Sequence, residues 1–239
     1  MNALESYYQN TQEPWGQLFY QSVWRQLPAW QSMRILDFGS GFGITADHLA
    51  ACNQVVAVEP NEAMCAMRVQ NHPYRQITGG LEQLTRFPPD FFDAILCHNV
   101  LEYVDGKEPC LQTFSRILRR HGILSLVKHH KPGWIMQRVL FENNPELAAR
   151  ELEGQTTASQ NFGEIRYYEE ADLLKWADCY YFRLDNTLGV RIFFGLVQNN
   201  AIKYDPVWQE QMLALEGKTA GLDAFRNIAF FHHILLSKQ

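Results

Sequence analysis

Residues 34–45 read Arg34-Ile35-Leu36-Asp37-Phe38-Gly39-Ser40-Gly41-Phe42-Gly43-Ile44-Thr45, and this stretch decides the fold. A short apolar run with strand character enters a tight turn carrying three glycines, and the turn leads into a helix. Glycine reaches positive φ without steric cost and lets a ligand approach the backbone where a Cβ would otherwise stand. The helix behind such a turn offers unpaired N–H groups and a partial positive charge. Working outward, Val55–Glu59, Ile77 with its neighbours, Ala94–Cys97 and Ile123–Val127 are further strand candidates. Between them, Thr45–Cys52, Asn61–Gln70 and Glu108–Arg120 have helical spacing. Strands alternating with helices through short connections predict an α/β fold with a Rossmann-like, doubly wound sheet, mostly parallel with the last strand antiparallel.

The flanks have a different texture. Residues 1–30 carry Tyr7, Tyr8, Trp15, Phe19, Tyr20, Trp24 and Trp30 among Gln and Ser, which predicts an N-terminal segment of one or two helices. From Lys131 to about Glu170 the rhythm breaks. A helix is expected at Trp134–Phe141, followed by the polar stretch ELEGQTTASQNFGE. An insertion here, after the fifth strand, is expected to cap the carboxyl edge of the sheet, where open α/β folds bind ligands. A helix at Glu169–Ala177, a strand at Tyr181–Asn186, a helix near Pro206–Glu216 and a final strand at Ala229–Leu236 complete the chain. With no internal repeat and no Gly- or Pro-rich linker, residues 1–239 read as a single domain.

Composition narrows the function classes. Of 239 residues, 46% are hydrophobic and 20% charged, ordinary for a globular protein with a real core. A net charge of −5 weighs against a broad nucleic-acid grip, which rests on Lys and Arg neutralising phosphates. The five cysteines are scattered without a C-x-x-C pair, which predicts reduced, mostly buried thiols. MNALESYYQN has neither a basic start nor an apolar core, so no signal peptide is expected. No apolar run approaches the ~20 residues of a membrane span, and a cytoplasmic protein is expected.

Two ligand classes compete for the glycine turn. A dinucleotide fingerprint, G-x-G-x-x-G, needs glycine at position 44, where this chain has Ile44. Asp37, two places before the first glycine, would repel a pyrophosphate but suits an ammonium group such as that of the methionine moiety of S-adenosylmethionine (SAM). A Walker loop is excluded because G-K-[ST] is missing. Glu59 ends the strand Val55-Val56-Ala57-Val58, about 20 residues beyond the turn, the distance at which an acid accepts hydrogen bonds from a ribose diol. Alone, Glu59 would read as a solvent-facing strand end; beside the glycine turn the ribose role is the better reading.

On these residues the chain resembles the class I SAM-dependent methyltransferases. The likeness spans residues 34 to about 127, through LDFGSGFG, VVAVEPNEAM and FFDAILCHNVLEYV. It implies SAM as cofactor, held by Asp37, Gly39, Ser40, Gly41, Gly43, Glu59, Pro60, Met64, Leu81, Glu82 and His98. In the family an acid before the fourth strand reaches the adenine. The matching segment is Thr78-Gly79-Gly80-Leu81-Glu82, where Gly80 takes the acid's place and Glu82 is the substitute. Met64 would pack near the adenine, or serve as an ordinary core methionine.

A narrower resemblance, to the tRNA 5-carboxymethoxyuridine methyltransferases, rests on HNVLEYV, LQTFSRILRRHGILSLV and LGVRIFF. Two departures accompany it: Phe19 stands where a family member has arginine, and the insertion lacks that member's lysine-rich run. Arg119, Arg120, Lys128 and Lys131 form the remaining candidate basic cluster.

Methyl transfer requires alignment and exclusion of water, and needs a general base only when the nucleophile starts protonated. His98 and Asn99, with Glu102 and Tyr103 one turn on, and Lys128, His129 and His130 are the residues placed to meet an acceptor. His98 is the candidate base, with helix capping as its other reading. His232 and His233 fall in the terminal strand as structural residues. No His has zinc-ligand spacing with Cys, so no metal is expected. The expected acceptor is a small molecule or carboxylate-bearing compound, with tRNA wobble uridine as the alternative and a non-catalytic SAM-binding module as the reading from another class.

Overall fold

A computed structural model describes residues 3–154 and 166–239. In chain order these form α1 (Ala3–Gln12), α2 (Pro14–Gln26), β1 (Arg34–Phe38), α3 (Ile44–Ala50), β2 (Gln54–Glu59), α4 (Glu62–Ala66) and β3 (Arg75–Thr78). A 3-10 turn (Leu81–Arg86) precedes β4 (Phe92–His98), α5 (Lys107–Ile117), β5 (Leu118–His129), α6 (Lys131–Leu140) and α7 (Pro145–Leu152). Then come α8 (Glu170–Cys179), β6 (Phe182–Val190), α9 (Pro206–Thr219), α10 (Asp223–Arg226) and β7 (Phe231–Lys238). Residues 155–165 of the expected polar insertion lie outside the described residues.

The seven strands make one sheet in the order β3-β2-β1-β4-β5-β7-β6. The pairs β1–β2, β1–β4, β2–β3 and β4–β5 are all parallel. The last strand runs the other way. The N–H of Phe230 bonds the carbonyl of Arg191 beyond the end of β6, while the N–H of Gln239 bonds Tyr181 just before its start. Order reverses between β1 and β4, whose connections leave in opposite directions, and this opens the crevice where doubly wound sheets hold ligands.

The chain divides into two compact units. One comprises Ala29–Val127, Arg166–Asn186 and Ile234–Gln239; the other comprises Met1–Pro28, Lys128–Ile165 and Thr187–His233. The core of the first is built on Leu36, Phe38, Val58, Phe92, Ile95, Leu124 and Leu126 from the strands, with Leu111, Phe114 and Ile117 from α5. Strands β1, β2 and β4 are buried almost end to end, as expected where helices cover both faces. The second unit has a smaller core of Leu18, Phe194, Met212 and Leu213. Of the cysteines, Cys65, Cys97 and Cys110 are buried, Cys52 and Cys179 are exposed, and none is bridged. No described helix is long and apolar enough to cross a membrane.

Two elements differ from the reading of the sequence. The helix expected over 61–70 is only α4, because the Val69 N–H bonds the carbonyl of Phe42 and draws the chain back to the glycine turn. The helix expected to run to Arg120 ends at Ile117. Leu118, fully buried, instead pairs with Phe92 as the start of β5, and the ladder takes a bulge before Ala94.

Candidate active site

Parallel β1, β2, β3 and β4 end at one edge of the sheet, bringing Asp37, Glu59, Thr78 and His98 to the same side. The glycine turn is pinned there by bonds from the N–H groups of Gly39 and Ser40 to the Val58 carbonyl, 2.8 and 3.1 Å. Gly39 is required by what surrounds it, and Gly41 by its positive φ. Gly39 has φ +75°, and a Cβ would stand 2.2 Å from Cγ2 of Val100. Gly41 has φ +55°, and the Cε of Met64 would lie 3.6 Å from its Cβ, so Met64 forms the wall facing the bare backbone. Gly43 caps α3 in the left-handed conformation.

Glu59 ties the turn together. Its carboxylate accepts from the Gly41 N–H at 2.8 Å and from the Asn61 N–H at 2.9 Å, one on each oxygen. A carboxylate has about four acceptor positions, so two backbone bonds fix its orientation and leave capacity for further donors. Pro60 is the exposed residue between these anchors, and Asn61 caps α4 by accepting from the N–H groups of Ala63 and Met64.

Asp37 is buried, and among the described residues its Oδ2 has no hydrogen-bond partner. Burial, reinforced by the charge of Glu59, pushes its pKa up to about 7 against the counter-effect of the Ala46 N–H. Ser40 Oγ and Asn99 Oδ1 are likewise buried without partners. Buried polar groups are normally satisfied, so three such atoms on the two strand-end turns that flank the crevice are what a polar ligand would complete. A buried carboxylate oxygen lacking a donor suits an ammonium, and a bare glycine backbone beside an anchored acid suits a ribose. The residues therefore fit SAM.

Other expected residues are placed differently. Glu82 is exposed and folds back on its own turn, where Oε1 accepts from the Gly80 N–H at 2.8 Å and from Gln83 Nε2 at 3.1 Å. The Gly80 N–H holds its carboxyl below the usual range. Leu81 packs against the main core. His98, half-buried, has Nε2 2.8 Å from the Oγ of the fully buried Ser125 on β5. Asn99 follows with φ +56°, its N–H bonded to the Val127 carbonyl at 2.7 Å. Glu102 is fully buried; Tyr103 donates its N–H to the Val100 carbonyl.

Lys128, His129 and His130 belong to the unit that lacks the glycine turn. There His129 packs on Trp134 and Phe231, and His130 stacks on His232 at 3.8 Å with Nδ1 3.0 Å from the Ala229 carbonyl. Phe19 packs edge-on to Phe231. Buried His233 is held neutral, its pKa pushed down to about 3, and contacts Gln26. Of the expected basic residues, Arg119 pairs with Asp93 and Lys128 is buried. Among the described residues no group of three or more His, Cys, Asp or Glu side chains could hold a metal.

Sequence reasoning missed Val100 and Ser125, which have no local signature. Asn99 was visible only as a residue after a strand.

Comparison with known proteins bears on the domain and the fold. Residues 36–126 match the model of the methyltransferase domain. A SAM-dependent methyltransferase from Thermotoga maritima shares the fold with a TM-score of 0.62 at 17% identity, over 93% of this chain and 88% of that one. One from Mesorhizobium loti does so with a TM-score of 0.59 at 15% identity, over 91% and 96%. Over residues 36–126 the chain matches a methyltransferase domain, and it has the fold of SAM-dependent methyltransferases. Among characterised proteins it is similar to the tRNA 5-carboxymethoxyuridine methyltransferase of Escherichia coli K12, at 24% identity over 93% of this chain and 89% of that protein.

Proposed function

We propose that the chain methylates a carboxylate-bearing acceptor, using a cofactor site built on Asp37, Gly39, Ser40, Gly41, Gly43, Glu59, Pro60, Met64 and Leu81, with His98 at its acceptor side. The observation that carries the site is the unpartnered Oδ2 of buried Asp37 beside a glycine turn braced by Glu59. SAM supplies an electrophilic methyl on a sulfonium. Asp37 would hold the ammonium, Glu59 would accept from the ribose hydroxyls, and Gly41 with Met64 would form the wall beside the nucleoside. Glu82, turned onto Gly80, leaves adenine recognition to the backbone of this segment.

A carboxylate acceptor is already nucleophilic at neutral pH, so no proton has to be removed. His98, oriented by Ser125, then serves to place the acceptor in line with the methyl rather than as a base. Misplacement by about 1 Å costs on the order of 100-fold in such a reaction.

The similarity to the Escherichia coli enzyme favours one carboxylate in particular, that of 5-carboxymethoxyuridine at a tRNA wobble position. Incubating the protein with methyl-labelled SAM and either tRNA lacking the methyl ester or a panel of carboxylate metabolites tests this. Label is expected in an ester that is lost on mild alkaline hydrolysis. Label in an alkali-stable product would overturn the carboxylate reading; ester formation on small acids but not tRNA would overturn the tRNA reading.

A further inference from the structure

The sequence LGVRIFF leads to a second group of charges, unused by the chemistry above. Arg191 has φ +59°, an uncommon conformation for a residue with a side chain, and the three residues after it turn their N–H groups onto one acid. Glu216, buried on α9, accepts from Ile192 at 2.7 Å on one oxygen, and from Phe193 at 2.8 Å and Phe194 at 3.1 Å on the other. Successive backbone N–H groups in such a turn form an anion-binding nest, and here an internal carboxylate fills it.

Arg191 is left short of an anion. Among the described residues no carboxylate makes an ion pair with it, and its Nε is buried without a hydrogen-bond partner. Glu216 acts on it only at a distance, and the Phe230 ring lies 5.4 Å from its Cζ. The buried Lys203 adds a second positive charge. Its Nζ sits 5.0 Å from the Phe194 ring with one bond, to Asn200 Oδ1 at 2.9 Å. Burial, with the charge of Arg191 behind it, pulls the Lys203 pKa down. A contact with an aromatic face offsets part of the desolvation of a guanidinium, but it satisfies none of its N–H donors. Two partly or wholly desolvated cations with their nearest acid already consumed by backbone are costly unless an external anion joins them.

We propose that Arg191 and Lys203 form an oxyanion-binding site that takes the carboxylate or phosphate of a ligand. Arg191 presents a planar fork matched to two oxygens, and Lys203 contributes a point charge. The proposal is independent of the cofactor assignment, because every residue in it belongs to the unit without the glycine turn.

The test is thermal unfolding of the full chain in acetate and, separately, in inorganic phosphate, each against chloride at equal ionic strength. Kosmotropic anions stabilise any protein weakly and without saturation, so saturation is the diagnostic. Wild type is expected to gain stability with a saturable dependence on at least one of the two anions. Arg191→Met should weaken that apparent affinity by about tenfold or more, the loss expected for a charged hydrogen-bonded contact. Lys203→Met should weaken it severalfold, while Arg183→Met, at an exposed arginine, should leave it unchanged. A response to acetate alone would identify a carboxylate ligand, and one to phosphate alone a phosphorylated one. The proposal is overturned if wild type shows no saturable gain, or if neither Arg191→Met nor Lys203→Met alters it. A cooperative melt in chloride shows that each variant folds, and Lys203→Met decides if Arg191→Met does not.

Discussion

Replacing Asp37 with Asn should stabilise the protein by an amount that grows as pH rises. In the folded protein burial and Glu59 raise the Asp37 pKa from 3.8 to about 7. Between these values the folded state binds a proton that the unfolded state has released, so unfolding free energy falls as pH rises, by about 1.36 kcal/mol per pH unit. From pH 5 to pH 8.5 the wild type therefore loses about 3 kcal/mol from this residue alone. Asn carries no charge to bury and loses nothing. At pH 5 unfolded Asp37 is already ionised while the folded acid is still neutral, so the variant, a near-isostere of the neutral acid, should be ahead by about 1.6 kcal/mol. At pH 8.5 the Asp37→Asn variant should be the more stable by about 4 kcal/mol, or roughly 8–16 °C in Tm. Titration of the other groups, buried His233 included, is common to both proteins and cancels. Differential scanning fluorimetry across this range measures the difference, and a Tm gap that does not change with pH would refute the reasoning. S-adenosylhomocysteine, which keeps the ammonium, supplies the functional counterpart. Its affinity for wild type should drop up to about tenfold per pH unit below pH 7, because only charged Asp37 pairs with the ammonium, whereas the Asp37→Asn variant should bind weakly at every pH.

Glu59→Gln keeps the shape but removes the charge and turns one acceptor into a donor facing the Gly41 or Asn61 N–H. Calorimetry with S-adenosylhomocysteine should show a loss of about 10–100-fold in affinity, with some loss of stability; unchanged affinity would remove Glu59 from the cofactor site. Gly39→Ala places a Cβ against Val100 at positive φ, and should lower stability by about 2 kcal/mol or more in denaturant unfolding. The double variant with Val100→Ala should recover only the part due to the clash, since the backbone strain remains.

The sequence by itself determined the local devices. Strand, glycine turn and helix from Arg34 to Thr45 declare themselves through spacing, because each acts within a few residues of itself. Asp37, Ile44 and Glu59 point to SAM rather than a dinucleotide by charge and spacing for the same reason. Tertiary structure decided everything that depends on what lies across space. It closed Val100 on Gly39, set Ser125 against His98, and turned Glu82 away onto Gly80. It began β5 at Leu118, because pairing with Phe92 outweighs a helical pattern that runs on to Arg120. It also decided the state of Asp37: a carboxylate in the sequence is only a letter, and its pKa near 7 exists because the fold removes water from it and sets Glu59 nearby. Arg191 shows the same limit. Its neighbours in the chain are apolar, and only the folding of α9 onto the turn after it commits Glu216 to backbone N–H groups and leaves the guanidinium without an ion pair among the described residues.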